Sequence, residues 1–170
     1  MGRQEYATKD VRHILFKVDE SALDSEAETY EADLQAAKDA AKTAAEDALA
    51  QWKAGEATED SFAALANELS ADDGSNINGG LYTKIYKNQM VTEFNDWCFD
   101  ASRQSGDTGI VYGESSNYKG YHVMYFVGDD VPYWQVQAEN ALRNTDTEAW
   151  LDGLLDSAEV VQENGMKHVG

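Results

Sequence analysis

The distribution of apolar residues along the chain predicts three strands, with three helices between the first strand and the other two. Residues 11–18 are apolar and β-branched, as in a buried strand. Residues 120–127 are apolar on both faces, which is typical of a central strand covered on both sides. A shorter run at 108–112 is the third strand candidate. In residues 30–52, 62–69 and 94–101, apolar side chains recur every three or four positions, which is the helical period.

The first predicted helix is long and acidic, with a thin apolar face made mainly of alanine. Its apolar positions recur from Tyr30 to Trp52, and Gly55 follows them as at a helix C-terminus. Thr58 has the position of an N-cap for the second helix, with acidic residues in the first turn. The residues that mark the third helix are Phe94, Trp97, Cys98 and Ala101.

A loop and a helical tail complete the predicted order. Residues 71–80 predict a loop, because glycine and asparagine tolerate a left-handed backbone that other residues resist. Pro132, the only proline, ends the strand region. Beyond it we predict two helices, one over roughly 134–143 and one beginning at Thr145, where Thr145 and Glu148 fit a capping box. The order predicts a small antiparallel α+β domain followed by a helical tail.

The charge of the chain is strongly negative and excludes some classes of partner. Its 170 residues carry 13 Lys and Arg against 32 Asp and Glu, a net charge of −19. This field repels nucleic acids and anionic membrane surfaces, so we exclude nucleic acid as a partner. Hydrophobic residues make up 42% of the chain, which is too many for a disordered polymer.

Cysteine content and apolar runs bear on compartment and anchoring. Cys98 is the only cysteine, which excludes an internal disulfide, and its place on the apolar face of a helix predicts a buried, unreactive thiol. No apolar run approaches the roughly 18 residues of a membrane span, and no signal peptide is recognisable. We expect either a cytoplasmic protein or a segment whose targeting sequence lies upstream, and we favour the second.

Six short segments, spread over about residues 8–128, form a pattern together. They are Arg12-His13-Ile14-Leu15, Phe62-Ala63-Ala64-Leu65-Ala66, Ser70-Ala71-Asp72-Asp73-Gly74-Ser75, Gly79-Gly80, Asn88-Gln89-Met90-Val91 with Phe94, and Gly120-Tyr121-His122-Val123. In order and spacing they resemble the parvulin family of peptidyl-prolyl cis/trans isomerases. The resemblance implies a parvulin-like domain over 8–129, with an antiparallel sheet of about four strands flanked by helices, and a helical extension over 131–170.

The resemblance also implies a catalytic group of two histidines and one acid. His13 and His122 correspond to the family's paired histidines on adjacent central strands, and Asp72 to an acid or cysteine that faces the substrate amide. Histidines on apolar strands are more often satisfied core residues, and Asp73 is the alternative to Asp72. The three side chains are also of the metal-ligand type, but no metal-ligand motif accompanies them. We expect neither a metal nor another cofactor.

Four further residues are implied to bind substrate. Met90, Phe94 and Tyr82 would line a pocket for the proline ring, although methionine and phenylalanine usually belong to the core. Asn117 stands five residues before the second histidine, where the family usually carries threonine. Residues 79–84, Gly-Gly-Leu-Tyr-Thr-Lys, also depart from the family's Gly-Gly-Asp-Leu-Gly plus an aromatic residue. Both departures put the catalytic rate in question more than the fold.

The implied reaction needs few reactive groups. Rotation about an X–Pro bond faces a barrier of about 20 kcal/mol, and no covalent bond is made or broken. An apolar pocket must hold the proline ring while a few polar groups favour the twisted amide over the planar one. The expected partners are therefore proline-containing unfolded or exported polypeptides.

We expect an extracytoplasmic foldase, similar to the parvulin-bearing lipoproteins of Gram-positive bacteria. It would be a monomer or weak dimer that reaches a membrane only through an anchor outside this chain. Acidic residues follow Lys17, so a phosphate would be repelled and phospho-dependence is not expected. The tail would complete a chaperone domain or, alternatively, dock on the parvulin domain. Two other classes stay open: a weak or inactive parvulin-fold module that binds unfolded chains, and a surface protein that works through its acidic helix.

Overall fold

Four antiparallel strands form one sheet in the computed structural model, which describes residues 5–157 of the chain. β1 is Ala7–Lys17, β2 is Leu81–Ile85, β3 is Thr108–Glu114 and β4 is Lys119–Pro132. Their order across the sheet is β2-β1-β4-β3, so the two longest strands, β1 and β4, lie side by side in the middle. The predicted α+β class with about four strands is confirmed.

Within residues 5–157, four α-helices and one short 3-10 turn accompany the strands. They are α1 (Tyr30–Ala54), α2 (Glu59–Leu69), the 3-10 turn (Asn76–Asn78), α3 (Thr92–Cys98) and α4 (Tyr133–Ser157). The chain divides into two compact units, Met1–Tyr133 and Trp134–Gly170, and the sheet with α1 to α3 belongs to the first. The predicted tail beyond residue 157 lies outside the described residues. Across residues 5–157, no helix combines the length and the apolar character needed to cross a membrane.

Different helices cover the two faces of the sheet, and this decides where a site can lie. On one face, Ile14 and Val123 pack with Phe62 of α2 in a core that also includes residues of α1. On the other face, Met124 packs with Phe94 of α3. All five side chains are at most 2% exposed. Both central strands are therefore buried on both sides, as their apolar sequences predict.

The boundary between α1 and α2 lies where the sequence predicts it. The N–H of Gly55 donates to the carbonyl oxygens of Gln51 and Trp52 at the end of α1. At the start of α2, the Thr58 hydroxyl accepts from the N–H of Ser61 at 3.2 Å, and the Ser61 hydroxyl accepts from the N–H of Thr58 at 3.0 Å. The reciprocal bonds are a capping box, and they satisfy backbone donors that a helix end leaves free.

The hydrophobic pattern fails to predict one of the strands. The pattern predicts no strand at Leu81–Ile85, yet these residues pair with β1 as β2. Of the five residues, Ile85 alone is fully buried, because β2 lies at the edge of the sheet. A strand with one buried position shows no alternation of apolar and polar residues, and its pairing is visible only in three dimensions.

Two helices end elsewhere than predicted. α4 continues through Thr145, whose hydroxyl donates to the carbonyl oxygen of Ala141 at 3.0 Å, so the predicted capping box with Glu148 is wrong. A threonine can satisfy its hydroxyl inside a helix by this bond to the preceding turn, and it then need not start a new one. α3 ends at Cys98, one turn short of the predicted Ala101.

Candidate functional site

The two histidines meet on the face of the sheet that α3 covers. The β1–β4 register sets His13 opposite Met124 and Leu15 opposite His122, so the histidines are diagonal neighbours on adjacent strands. Their Nδ1 atoms are 2.9 Å apart, and their rings stack with centroids 5.1 Å apart. Each histidine is only 3% exposed. They form a buried, hydrogen-bonded pair in the centre of the sheet.

Asp72 completes this group from the loop that follows α2. Its Oδ2 atom lies 2.9 Å from Nε2 of His13. The same oxygen accepts from the hydroxyl of Ser75 at 2.5 Å and from the hydroxyl of Tyr82 at 3.0 Å. Asp73, the next residue, is exposed. Of the two acids considered, the structure therefore brings Asp72 to the histidines.

Hydrogen bonds and burial decide the charges of this group at neutral pH. The hydrogen bond with His13 holds the pKa of Asp72 well below its usual range, against the opposing effect of burial. Burial lowers the pKa of His122 to about 3, and the nearby His13 contributes a smaller part of this shift. Burial raises the pKa of Tyr82 to about 12, and the hydrogen bond to Asp72 contributes a smaller part of this shift. At neutral pH, Asp72 is therefore a carboxylate, His122 is neutral and Tyr82 is a protonated donor.

All seven candidate residues predicted from the sequence line one cleft of about 350 Å³. Its apolar wall contains Met90, Val91 and Phe94. The Phe94 ring lies edge-on to both histidines, with centroids 5.6 Å from His13 and 5.4 Å from His122. The apolar wall and the polar group thus adjoin each other. The predicted residues in the lining are His13, Asp72, Tyr82, Met90, Phe94, Asn117 and His122.

The second histidine has a hydrogen-bond partner that the sequence did not reveal. The Tyr118 hydroxyl lies 3.1 Å from Nε2 of His122. Asn117, which stands at the family's threonine position, instead bonds the side chains of Ser115 and Ser116. Adjacency to position 117 was the only sequence signal for Tyr118.

The sequence analysis also missed Ser75, which supports Asp72, and several residues that line the cleft. Ser75, which bonds Asp72, lies in one of the six segments, but nothing in that segment distinguishes its side chain from the others. Except for Lys17, which lies outside the six segments, the signal for these residues was membership of a segment, and the sequence does not show which side chains face a cleft. The further lining residues are Leu15, Lys17, Gln89 and Val91.

Two glycines allow close approaches on which the site depends. A Cβ at Gly113 of β3 would lie 2.9 Å from both Nε2 of His122 and Cγ2 of Val91. Gly80 has a φ of +68°, and a Cβ there would collide with the carbonyl oxygen of His13. The N–H of His13 donates to the Gly80 carbonyl at 2.9 Å, so this glycine also joins β1 to the start of β2.

The metal alternative has no geometric support among residues 5–157, where no group of three or more His, Cys, Asp and Glu is placed to hold a metal ion. His13 directs one ring nitrogen at His122 and the other at Asp72, both at 2.9 Å. Cys98 is fully buried, and burial raises the pKa of its thiol to about 12, in keeping with an unreactive thiol.

A four-stranded antiparallel sheet with a buried histidine pair beside an apolar cleft defines a parvulin-type rotamase domain. The family model for the rotamase, or PPIC-type PPIase, domain matches residues 13–128. The chain therefore belongs to the PPIC-type peptidyl-prolyl isomerase family. The match begins at the first histidine and ends within β4, so it includes every predicted site residue. No curated protein matches the sequence.

Three solved structures of low sequence identity are similar to this chain, and the one with a TM-score of 0.50 shares its fold. The peptidylprolyl isomerase PrsA from Bacillus anthracis is 18% identical, with 84% of this chain and 51% of that chain covered and a TM-score of 0.50. PrsA from Bacillus cereus is 22% identical, with 95% and 54% covered and a TM-score of 0.49. A SurA-like chaperone structure from Campylobacter jejuni is 23% identical, with 92% and 56% covered and a TM-score of 0.45. The chain spans about half the length of these proteins.

Proposed function

We propose that this chain is a peptidyl-prolyl cis/trans isomerase that rotates X–Pro bonds without forming a covalent intermediate. The observation that carries the proposal is that one cleft joins an apolar wall, Met90 and Phe94, to the polar group of His13, His122 and Asp72. A proline ring held against the apolar wall has its amide beside that polar group. Family membership supports the same reaction.

The charge of Asp72 gives a physical reason for the acceleration. In a planar amide, conjugation places partial negative charge on the carbonyl oxygen, and rotation removes part of that charge. A carboxylate beside the oxygen therefore disfavours the planar amide relative to the twisted one. The hydroxyls of Ser75 and Tyr82 hold Asp72 in place for this role. Each tenfold acceleration requires about 1.4 kcal/mol of such preference.

A protease-coupled assay on proline tetrapeptides with varied residues before proline tests this function. We expect Asp72→Ala and His122→Ala to lower kcat/KM at least about tenfold, because the first removes the carboxylate and the second removes the partner of His13, which bonds that carboxylate. Asp73→Ala, which removes an exposed carboxylate next to Asp72, is the matched control and keeps wild-type activity. Circular dichroism and melting show whether each variant is folded. A folded wild type that is inactive on every peptide would refute the proposal.

We also propose that the clients are unfolded or exported polypeptides and that the protein works outside the cytoplasm. The support is the resemblance to parvulin-bearing lipoproteins, with any membrane anchor lying outside this chain. Fractionation of cells that make the full-length protein tests the location. Recovery in the cytoplasmic fraction would contradict an extracytoplasmic location. Sedimentation tests whether the chain is a monomer or a weak dimer.

Turnover is proposed to be independent of phosphorylation. Two lysines lie near the cleft. Lys17 lines it, and the charge of Lys119 is already paired with Glu20, at 2.8 Å. Further acids follow Lys17 in the sequence, namely Asp19, Asp24 and Glu26, so a phosphate meets a negative field. Matched Ser-Pro and phosphoserine-proline peptides should be turned over at equal rates, and a strong preference for the phosphorylated peptide would overturn this.

The alternative function is a catalytically weak module that binds unfolded chains as a chaperone. Asn117 favours it, because this residue replaces the threonine that the family usually carries there, and that departure puts the catalytic rate in question. Tail residues 131–170 would then belong to a chaperone domain, for which the exposure of Leu142 (67%) and Trp150 (63%) provides apolar surface. Peptide binding by calorimetry without isomerase activity would support this alternative. Proteolytic removal of the tail with no loss of parvulin stability would favour the chaperone-domain assignment over docking.

A further inference from the structure

We propose that Tyr118 is the positioning residue that holds the second histidine of this site in a single tautomer. Its hydroxyl lies 3.1 Å from Nε2 of His122, and its ring meets the histidine ring edge-on with centroids 5.6 Å apart. Tyr118 also lines the cleft. The catalytic consequence of this proposal rests on the proposed isomerase function, whereas the tautomer does not.

The hydrogen bonds allow one arrangement of protons when both histidines are neutral. A carboxylate only accepts, so Nε2 of His13 carries the proton that is donated to Asp72. Nδ1 of His13 then accepts, and its donor is the Nδ1–H of His122. Nε2 of His122 is left as an acceptor, and the hydroxyl of Tyr118 is its donor. One directed chain therefore runs from Tyr118 to Asp72: the carboxylate fixes its direction, and the Tyr118 hydroxyl supplies the donor that this direction requires at Nε2 of His122.

The burial of His122 makes the donor necessary. The residue is only 3% exposed, and a buried nitrogen acceptor without a donor is costly. Without Tyr118, a proton on Nε2 would relieve that cost but would remove the Nδ1–H that His13 needs. Burial, together with the charges of Asp72 and Glu93, raises the pKa of Tyr118, so its hydroxyl keeps the proton that it donates.

Side-chain nitrogen NMR of the whole chain tests the proposal without reference to activity. In the wild type we expect a protonated Nδ1 and an unprotonated, hydrogen-bonded Nε2 on His122. Tyr118→Phe removes only the hydroxyl, and the Nε2 signal should move towards that of a free imidazole or split between tautomers. Asn117→Ala should leave the same signals unchanged. Unaltered His122 signals in Tyr118→Phe, or a protonated Nε2 in the wild type, would overturn the proposal.

Kinetics then measure the catalytic consequence. We expect Tyr118→Phe to lower kcat about fivefold to tenfold with little change in KM, because the ring still lines the cleft. Tyr112→Phe is the matched control, since the Tyr112 hydroxyl bonds Glu114 at 2.9 Å and the residue is not part of the cleft lining. An inactive wild type would refute the isomerase function. The NMR result would still decide whether Tyr118 holds His122 in a single tautomer. An active wild type with unchanged kcat in Tyr118→Phe would overturn the catalytic part.

Discussion

His122 is buried as a neutral base, and its burial makes the stability of the fold depend on pH. Its pKa of about 3 in the folded chain lies below the ordinary value of 6.5. The unfolded chain therefore binds this proton more readily than the folded chain. The stability that His122 contributes is present above a pH of about 6.5 and is lost as the pH falls towards 3. Asp72, whose pKa is also lowered, adds a loss only below its ordinary pKa of about 4.

Urea denaturation between about pH 7 and pH 4 measures this dependence. We expect His122 to lower the free energy of unfolding by up to about 1.4 kcal/mol for each pH unit below its ordinary pKa. His122→Asn should flatten that slope and leave the loss below about pH 4, to which Asp72 contributes. If the slope above pH 4 were the same in the variant, the burial of a neutral His122 would not be its cause.

Gly113 leaves room for the second histidine, and filling that room should displace it. A Cβ at this position lies 2.9 Å from His122 and from Val91, and such overpacking typically costs about 1–3 kcal/mol. We expect Gly113→Ala to lower kcat/KM about tenfold and to lower the melting temperature by several degrees. Gly128→Ala is the control, because a Cβ there has no atom within 4 Å. Equal activity in the two variants would contradict the steric argument.

At the scale of elements, the start of α2 depends on a two-residue cap. Thr58→Ala removes the side chain that accepts from Ser61, and loss of such a cap costs about 1 kcal/mol of unfolding free energy. Thr43→Ala is the matched control, since Thr43 is exposed inside α1 and its hydroxyl only bonds the carbonyl of Asp39. Denaturant unfolding measures both. A loss of equal size at Thr43 would show that the cap contributes nothing specific.

The elements that carry the site could be predicted because their patterns are local. The apolar runs around His13 and His122 predict central strands, and a central strand fixes which neighbours its side chains can meet. The resemblance then indicated which residues of those segments act together, and the structure places all seven in one cleft. Asp72 could be separated from Asp73 only by the path of the loop.

What the sequence could not show depends on long-range geometry. β2 is a strand because it pairs with β1, and its own residues carry almost no pattern. Thr145 and Glu148 fit the sequence pattern of a helix start, but the Thr145 hydroxyl bonds the preceding turn of α4 instead. The partner of His122 depends on which side chain of the loop before β4 reaches the ring. The sequence analysis named Asn117 by its position in the family pattern and named no partner for His122, and the structure places the Tyr118 hydroxyl at that ring.

The whole molecule carries its negative charge unevenly, and this affects its stability as well as its partners. Residues 19–60 hold thirteen acidic residues and three lysines, and most of the acids of α1 are exposed. Like charges at this density repel one another more in the compact chain than in the unfolded one. Screening shortens the range of that repulsion from about 10 Å in 0.1 M salt to about 3 Å in 1 M salt.

We therefore expect sodium chloride to stabilise the fold. The free energy of unfolding should rise by about 1 kcal/mol or more between roughly 0.05 M and 1 M salt, because one exposed pair of charges interacts by up to about 1 kcal/mol and α1 carries several like-charged pairs. Asp47→Lys, at an exposed position of α1, changes the net charge from −19 to −17 and should raise stability at low salt while reducing the salt dependence. Asp47→Asn should give half of that change. If the salt dependence were equal in all three chains, the stabilisation would come from general salting-out of apolar surface, and the charge of α1 would not limit the stability of the domain.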